Sequence, residues 1–358
     1  MRNSIQRITF PARLVCPRCR IPGEDGLLVV SHLDPVEHEG DRCGRCGTLY
    51  PRIEDIRCVP PDLEHFRKSQ ASALDPGWIC RDAEAAATAC RRASELDLSA
   101  DEFGEILFQC QHALAHFPQA GAPLYPDLEC NIALIRTLRG WLEQHEAPGD
   151  SPAQCALEVG CGPGAFLRAV SPLFRAGALG MDVRIGVLRL ARRLADSGEA
   201  FIPFCTEGRR FEPIRISAPP DSGVGPGQLH FLQGDIYAPP LDADAFPAVI
   251  ALSLLDTVPD PLFALGQIDA LLAPRGLLLI GTPYSWDPRT TAPGEWWSQP
   301  AATGGEALRD ALAGRNRVIP HLRYEVLAEA DRIAWAVPGH GRLVYRFFLD
   351  VVLARKRG

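Results

Sequence analysis

The stretch that most constrains this chain is Ala156-Leu157-Glu158-Val159-Gly160-Cys161-Gly162-Pro163-Gly164. Its first four residues read as a short buried strand, the glycines as a tight turn, and residues 165–170 as the opening of a helix. Strand, glycine turn and helix in that order is how an open α/β sheet receives a nucleotide-like ligand. The glycines admit the ligand where a Cβ would clash. Glu158 stands just before the turn, and a second acid, Asp182, ends the next predicted strand, residues 178–182. A carboxylate at that place can accept both hydroxyls of a ribose. The turn is G-C-G-P-G, which is not the G-x-G-x-x-G of a pyrophosphate binder.

The chain beyond it keeps the same alternation. A helix is expected over 187–195, then a long irregular stretch over 198–227 rich in Pro and Gly. A third strand, 229–233, closes on Gly234-Asp235-Ile236, and the apolar run 248–252 is a fourth strand buried on both faces. Ser253 follows at its carboxyl end, where this architecture places ligands. After a helix over 262–272 comes a fifth strand, 277–281, and residues 322–336 and 342–355 pair as two closing strands to make seven. The loop after strand five holds Tyr284, Trp286, Thr290, Thr291, Trp296 and Trp297, which reads as an aromatic wall for a flat substrate.

Ahead of this domain stand two other parts. Cys16-Pro17-Arg18-Cys19 and Cys43-Gly44-Arg45-Cys46 are paired C-x-x-C knuckles, the spacing of a structural zinc site with four thiolates and no open position. Cys58 reads as a core residue. Residues 62–150 form a helical connector, with a turn at Asp75-Pro76-Gly77 and helices over 82–96, 99–116 and 127–145. Ser99 with Glu102 is a capping box for the second of these helices. Residues 147–152 read as a linker. His112, His116 and His145 are read as solvated helix histidines. The boundaries are therefore 1–61, 62–150 and 151–358.

Composition sets outer limits. With 358 residues, 46% apolar and 23% charged, the chain holds a sizeable core. A net charge of −7, and nine Arg against eight acids over residues 1–60, argue against a nucleic-acid binder. Met1 to Phe10 lacks the apolar core of a signal peptide, and no apolar run approaches the roughly 18 residues of a membrane span. A cytoplasmic location without membrane contact is expected, where 12 cysteines serve as metal ligands and core thiols.

These motifs resemble those of the class I S-adenosylmethionine-dependent methyltransferases. The resemblance implies a Rossmann-like α/β fold with a seven-stranded sheet. It also implies cofactor contacts from Glu158, Gly160, Cys161, Gly162, Gly164, Asp182, Val183, Asp235, Ile236 and Ser253, with Asp235 on the adenine amino group. Residues 12–62, from Cys16-Pro17 to Tyr50-Pro51-Arg52-Ile53-Glu54-Asp55-Ile56, resemble a zinc-ribbon family that binds and activates methyltransferases. A fused copy would be a scaffold or lid working in cis, and the ribbon also offers a surface for a protein partner. Residues 155–356 resemble the ovothiol-pathway methyltransferase domain, which methylates an imidazole nitrogen of 4-mercaptohistidine. The match rests on Thr206-Glu207-Gly208, Phe231 to Asp235, Pro283-Tyr284-Ser285-Trp286, and Ala334-Trp335 followed by His340 and Arg342. That family's tail reads Arg-Glu-His-Ala-Arg where this chain has Pro338-Gly339-His340-Gly341-Arg342.

The expected reaction is methyl transfer from S-adenosylmethionine to a nitrogen of a small heteroaromatic or amino-acid-like acceptor. His340 is the candidate base and Tyr284 the orienting hydroxyl. Two alternatives stand beside it: a methyltransferase that recognises RNA or a translation protein through the ribbon, and a non-catalytic scaffold of the same fold.

Overall fold

The computed structural model describes residues 10–357 apart from 23–27, 37–39, 72–77, 96–97, 119–124, 150, 220–223, 226, 298 and 301. The predicted turn at Asp75-Pro76-Gly77, residues 1–9, and parts of the 147–152 linker and of 198–227 lie outside the described residues.

Before the first glycine turn the chain forms β1 (Ile21–Pro22), β2 (Leu28–Val29), β3 (Leu33–Val36), β4 (Gly40–Cys43), β5 (Leu49–Ile53) and β6 (Ile56–Cys58). Helices α1 (Leu63–Ser69), α2 (Ala83–Glu95), α3 (Ala100–His116) and α4 (Glu129–Gln144) follow. The capping box of Ser99 and Glu102 opens α3, each side chain bonding the other residue's backbone N–H.

The α/β part runs β7 (Ala156–Val159), α5 (Ala165–Val170), β8 (Ala178–Asp182), α6 (Ile185–Ser197), β9 (Glu199–Glu207), β10 (Arg210–Ser217) and β11 (Leu229–Gln233). It continues with β12 (Phe246–Leu252), α7 (Pro261–Leu271), β13 (Leu272–Thr282), α8 (Gly304–Leu312), β14 (Tyr324–His340) and β15 (Leu343–Lys356). Seven of these strands lie in the order β14-β15-β13-β12-β7-β8-β11, all in one direction except β15, which is antiparallel to both β13 and β14. The order reverses between β7 and β12, so a crevice opens at the carboxyl ends of those two strands. Successive residues of β12 serve opposite faces. Val249 and Ala251 pack with Leu265 and Leu308 of α7 and α8, while Ile250 packs with Leu138, Leu167 and Leu188 of α4, α5 and α6.

Two features depart from the sequence reading. The sheet does not stop at β11, because β6 pairs with it in parallel, and β5, β4 and β3 carry the sheet on to eleven strands. A single short strand such as Ile56-Arg57-Cys58 carries no signal of which edge it will join. The stretch expected to be irregular over 198–227 contains the β9–β10 hairpin, paired from Glu199 with Ser217 to Glu207 with Arg210. Pro203 and Pro213 pair with each other in a sheet of only these two strands, an edge setting in which proline is tolerated.

The hairpin completes a core of its own. Phe204, Phe211 and Ile216 pack against Ala89, Ala93, Ile106 and Leu114 of α2 and α3. The long β14 reaches this layer too, since Ala336 belongs to the same core. Asn131, fully buried on α4, ties it together. Its amide donates to the carbonyls of Ala115 (2.8 Å) and Ala336 (2.7 Å) and accepts from the Ala336 N–H (2.7 Å). The connector thus forms a roof over the crevice. No described helix is long and apolar enough to cross a membrane.

Candidate active site

Between the sheet and this roof lies a cavity of about 750 Å³. Its floor is the glycine turn. Gly160, Gly162 and Gly164 have φ of 73°, 51° and 81°, in the left-handed region where glycine is favoured. A Cβ on Gly162 would stand 3.1 Å from His116 Nε2, and one on Gly160 would stand 3.1 Å from Leu254 Cδ1. The turn is held by Asp182, whose carboxylate accepts from the N–H groups of Gly162 (3.0 Å) and Arg184 (2.9 Å). Burial pushes the Asp182 carboxyl up, and those N–H groups oppose the shift.

Glu158 lines the same cavity and is 2% exposed, and its Oε2 has no hydrogen-bond partner among the described residues. Burial pushes its carboxyl well above the ordinary carboxylate range, with the Asp182 charge adding to the effect. An orphaned buried carboxylate beside a cradle that excludes Cβ atoms is a fit for a cationic ligand with a ribose. Val183, Asp235, Ile236 and Ser253 complete the wall. Asp235 Oδ1 accepts from the Tyr237 N–H (2.9 Å), and Ser253 takes a φ of 51° at the end of β12. A second cavity of about 560 Å³ adjoins this one at Asp235, between α1, the start of α3 and Gln233.

The other residues read from the sequence fall elsewhere. Cys161 is buried with its Sγ turned toward Gly180, and Gly164 caps α5, so both shape the turn without lining the cavity. His340 sits at the tip of the β14–β15 pair, where its Nδ1 accepts from the Arg342 N–H (3.2 Å), and it does not line the cavity. Tyr284 does not either, because its ring packs over Gly304 and tilts against Trp286. The expected aromatic wall is likewise displaced. Trp286 and Trp297 pack into the core, and Trp296 donates to the Thr291 carbonyl (2.9 Å). Only Thr290 of that loop reaches the cavity.

What lines the roof instead is Phe108, His112 and His116 of α3 with Trp335 of β14. The two histidines are therefore not solvated. Burial pushes His112 down to about 4 and His116 to about 3, so both are neutral near pH 7. His112 donates Nδ1–H to the Phe108 carbonyl (2.8 Å), while His116 Nδ1 accepts from the Ala165 N–H (3.4 Å) and its ring stands edge-on to Trp335 at 5.7 Å. Spacing by four residues was the available signal, since it puts Phe108, His112 and His116 on one face of a helix.

At the N-terminus, Cys16, Cys19, Cys43 and Cys46 bring their sulfurs within 4.8 Å of one another. Cys16 and Cys46 are 3.8 Å apart, and Cys19 and Cys43 are 3.7 Å apart. Hydroxyls of Tyr50, Ser31 and Thr48 stand 3.1–3.3 Å from the sulfurs of Cys16, Cys43 and Cys46. The Tyr50 ring is fully buried beneath them.

Residues 132–327 match the family described as "Methyltransferase domain", which is more than half of the chain. The chain belongs to the methyltransferase-domain family. The methyltransferase is an enzyme that depends on S-adenosylmethionine, and its fold is the Rossmann-like α/β sheet of that class. No curated protein sequence matches it significantly. Among solved structures it is similar to magnesium protoporphyrin IX methyltransferase from Synechocystis with bound S-adenosylmethionine, at 12% identity over 67% of this chain and 90% of that one, TM-score 0.40. A complex between the Haloferax volcanii Trm112 methyltransferase activator and a methyltransferase is similar at 16% identity, over 70% of this chain and 98% of that one, TM-score 0.39. Phosphoethanolamine N-methyltransferase 2 of Haemonchus contortus matches at 17% identity over 36% of this chain, which spans 24% of that longer one, TM-score 0.26.

Proposed function

We propose that this methyltransferase moves the methyl group of S-adenosylmethionine to a ring nitrogen of a small, uncharged heteroaromatic molecule of imidazole type. The observation that carries the reading is the chemistry of the cavity wall. Its charged residues are Glu158, Asp182 and Asp235, at cofactor positions, and Arg184, whose guanidinium is engaged by Glu105 at 3.1 Å. Leu134, Ile135, Leu252, Val258, Trp335 and Val337 make up much of the remaining wall, with hydroxyls of Tyr237, Ser253, Thr257 and Thr290 and the roof histidines among them. This suits a flat neutral ring, and among the described residues no cation besides Arg184 is there to meet a phosphate or a carboxylate.

Bound S-adenosylmethionine supplies a methyl group already activated on a sulfonium. The protein is left with alignment and exclusion of water. In this reading Asp182 holds the ribose hydroxyls, Asp235 and Ile236 receive the adenine, Glu158 balances the cationic end, and the α3 roof closes the cavity to solvent. Residues 1–61 act as a zinc ribbon, 62–150 as the roof, and 151–358 as the catalytic domain. Cys16, Cys19, Cys43 and Cys46 hold Zn²⁺ in a closed structural site. Zn–S bonds of about 2.3 Å in a tetrahedron put the sulfurs about 3.8 Å apart, close to the separations in the cluster. The resemblance to activator ribbons supports a ribbon that works in cis, attached to the cofactor domain it supports.

Calorimetric titration with S-adenosylhomocysteine tests the frame, with Asp182→Ala as the control. Micromolar binding that weakens about 100-fold in the variant is expected, from two charge-assisted hydrogen bonds lost. Methyl transfer to imidazoles but not to phosphorylated amines or RNA would support the acceptor class, and the reverse preference would overturn it.

A further inference from the structure

The reaction above leaves both roof histidines unassigned. His116 Nδ1 accepts from the Ala165 N–H, so its Nε2 carries a proton and stands over Gly162 of the glycine turn, and His112 has the opposite tautomer. His112 donates its Nδ1–H to the Phe108 carbonyl at 2.8 Å. A carbonyl oxygen only accepts, so in the neutral ring Nδ1 carries the proton and Nε2 is a bare lone pair. Nε2 meets no protein partner among the described residues, and the side chain faces the cavity. The ring is also held in place. It stacks on Phe108 with centroids 3.8 Å apart and planes at 26°, and the Arg184 guanidinium lies over the same phenyl ring at 3.9 Å. Glu105 fixes that guanidinium, and Gln109 in turn donates to Glu105 at 2.9 Å.

A fixed acceptor selects its ligand by what the ligand can donate. An anionic oxygen would face a lone pair and be repelled, and a ring without an N–H would leave Nε2 desolvated and unpaired. We infer that His112 Nε2 is the hydrogen-bond acceptor that chooses the substrate, a neutral azole carrying one N–H besides the lone-pair nitrogen that takes the methyl group. This rests on the acceptor class proposed above and narrows it. Engaging the N–H also orients the ring, because the two nitrogens of an imidazole point apart and only one is left to meet the methyl group.

The test uses the full chain saturated with S-adenosylhomocysteine, with imidazole and 1-methylimidazole as probes. Both carry a basic lone pair, and only imidazole has an N–H. Wild type is expected to bind imidazole about tenfold more tightly, the worth of one hydrogen bond that would otherwise be lost. In His112→Phe the two probes bind equally, and in His112→Gln part of the preference returns through the side-chain oxygen. S-Adenosylhomocysteine affinity within about twofold of wild type shows that each variant keeps its cofactor site. Equal binding of the two probes to wild type, or a preference that survives in His112→Phe, overturns the role of His112 alone. Failure of both probes to bind overturns it together with the azole reading.

Discussion

The Val59 N–H donates to the Gln233 carbonyl at 2.9 Å, joining the cysteine-rich segment to the strand that delivers Asp235. The seam continues at Val15, whose N–H reaches the Pro240 carbonyl, and at Arg20, which donates to the Leu241 carbonyl at 2.7 Å. Through these contacts the N-terminal segment brackets residues 233–241 from both ends.

Loss of the metal site should therefore reach the cofactor. Cys43→Ser is expected to lower zinc from about one per chain toward zero, and to raise amide hydrogen exchange across Leu229–Gln233. S-Adenosylhomocysteine affinity should fall with it. Full affinity in a zinc-free protein would show that the seam holds without the metal.

Glu158 makes cofactor binding sensitive to pH. Burial holds its carboxyl well above the ordinary range, so it keeps a proton more readily than an ordinary glutamate, and a cation beside it favours the ionised form. Binding should release up to about one proton, and affinity should rise by up to about tenfold per pH unit until that carboxyl ionises in the free protein. Calorimetry in buffers of different ionisation enthalpy measures the release. Glu158→Gln should bind more weakly and show no such slope.

The roof histidines set an acid limit. His112 and His116 titrate near 4 and 3 in the folded chain, against about 6.5 unfolded. The unfolded chain gains protons below pH 6.5 that the native state refuses. Stability is full above about pH 6.5 and falls as pH drops toward about 4, by up to about 1.4 kcal/mol per unit for each histidine. Melting temperature against pH should flatten between about pH 6.5 and 5 in His116→Gln relative to wild type. An unchanged slope would place the acid sensitivity elsewhere.

Asn131→Leu should be among the costliest single substitutions outside the cofactor motifs. It leaves two carbonyls and one N–H buried without partners, which costs about 3 kcal/mol or more. Thermal melting measures the loss. A shift under about 2 °C would mean that water replaces the amide.

The part of the cavity proposed for the cofactor was legible in the sequence because its residues are set by local structure. Glu158, the glycine turn, Asp182 and Asp235 each sit where a strand ends, and strands of alternating or continuous apolar residues can be read one at a time. The roof of the cavity was not legible. Trp335 and His112 come from elements far apart in the chain, brought together by a β14 that outruns the sheet and a helix whose polar-looking face turns inward. His340 and Tyr284 looked catalytic by resemblance, yet a hairpin tip and a packed ring take them away from the cavity. The β9–β10 hairpin was hidden by prolines that would have broken a central strand and are harmless where the sheet has only two.

The parallel pairing of β6 with β11 also orders events during synthesis. Arg57 leaves the ribosome long before Leu232, the residue it will face. Until then β6 presents an unpaired edge, open to any other strand it meets. Four early thiolates that gather a metal would hold the small N-terminal sheet in shape through that wait. Chains made when zinc is scarce would then be the ones that misassemble, whatever the stability of the finished enzyme.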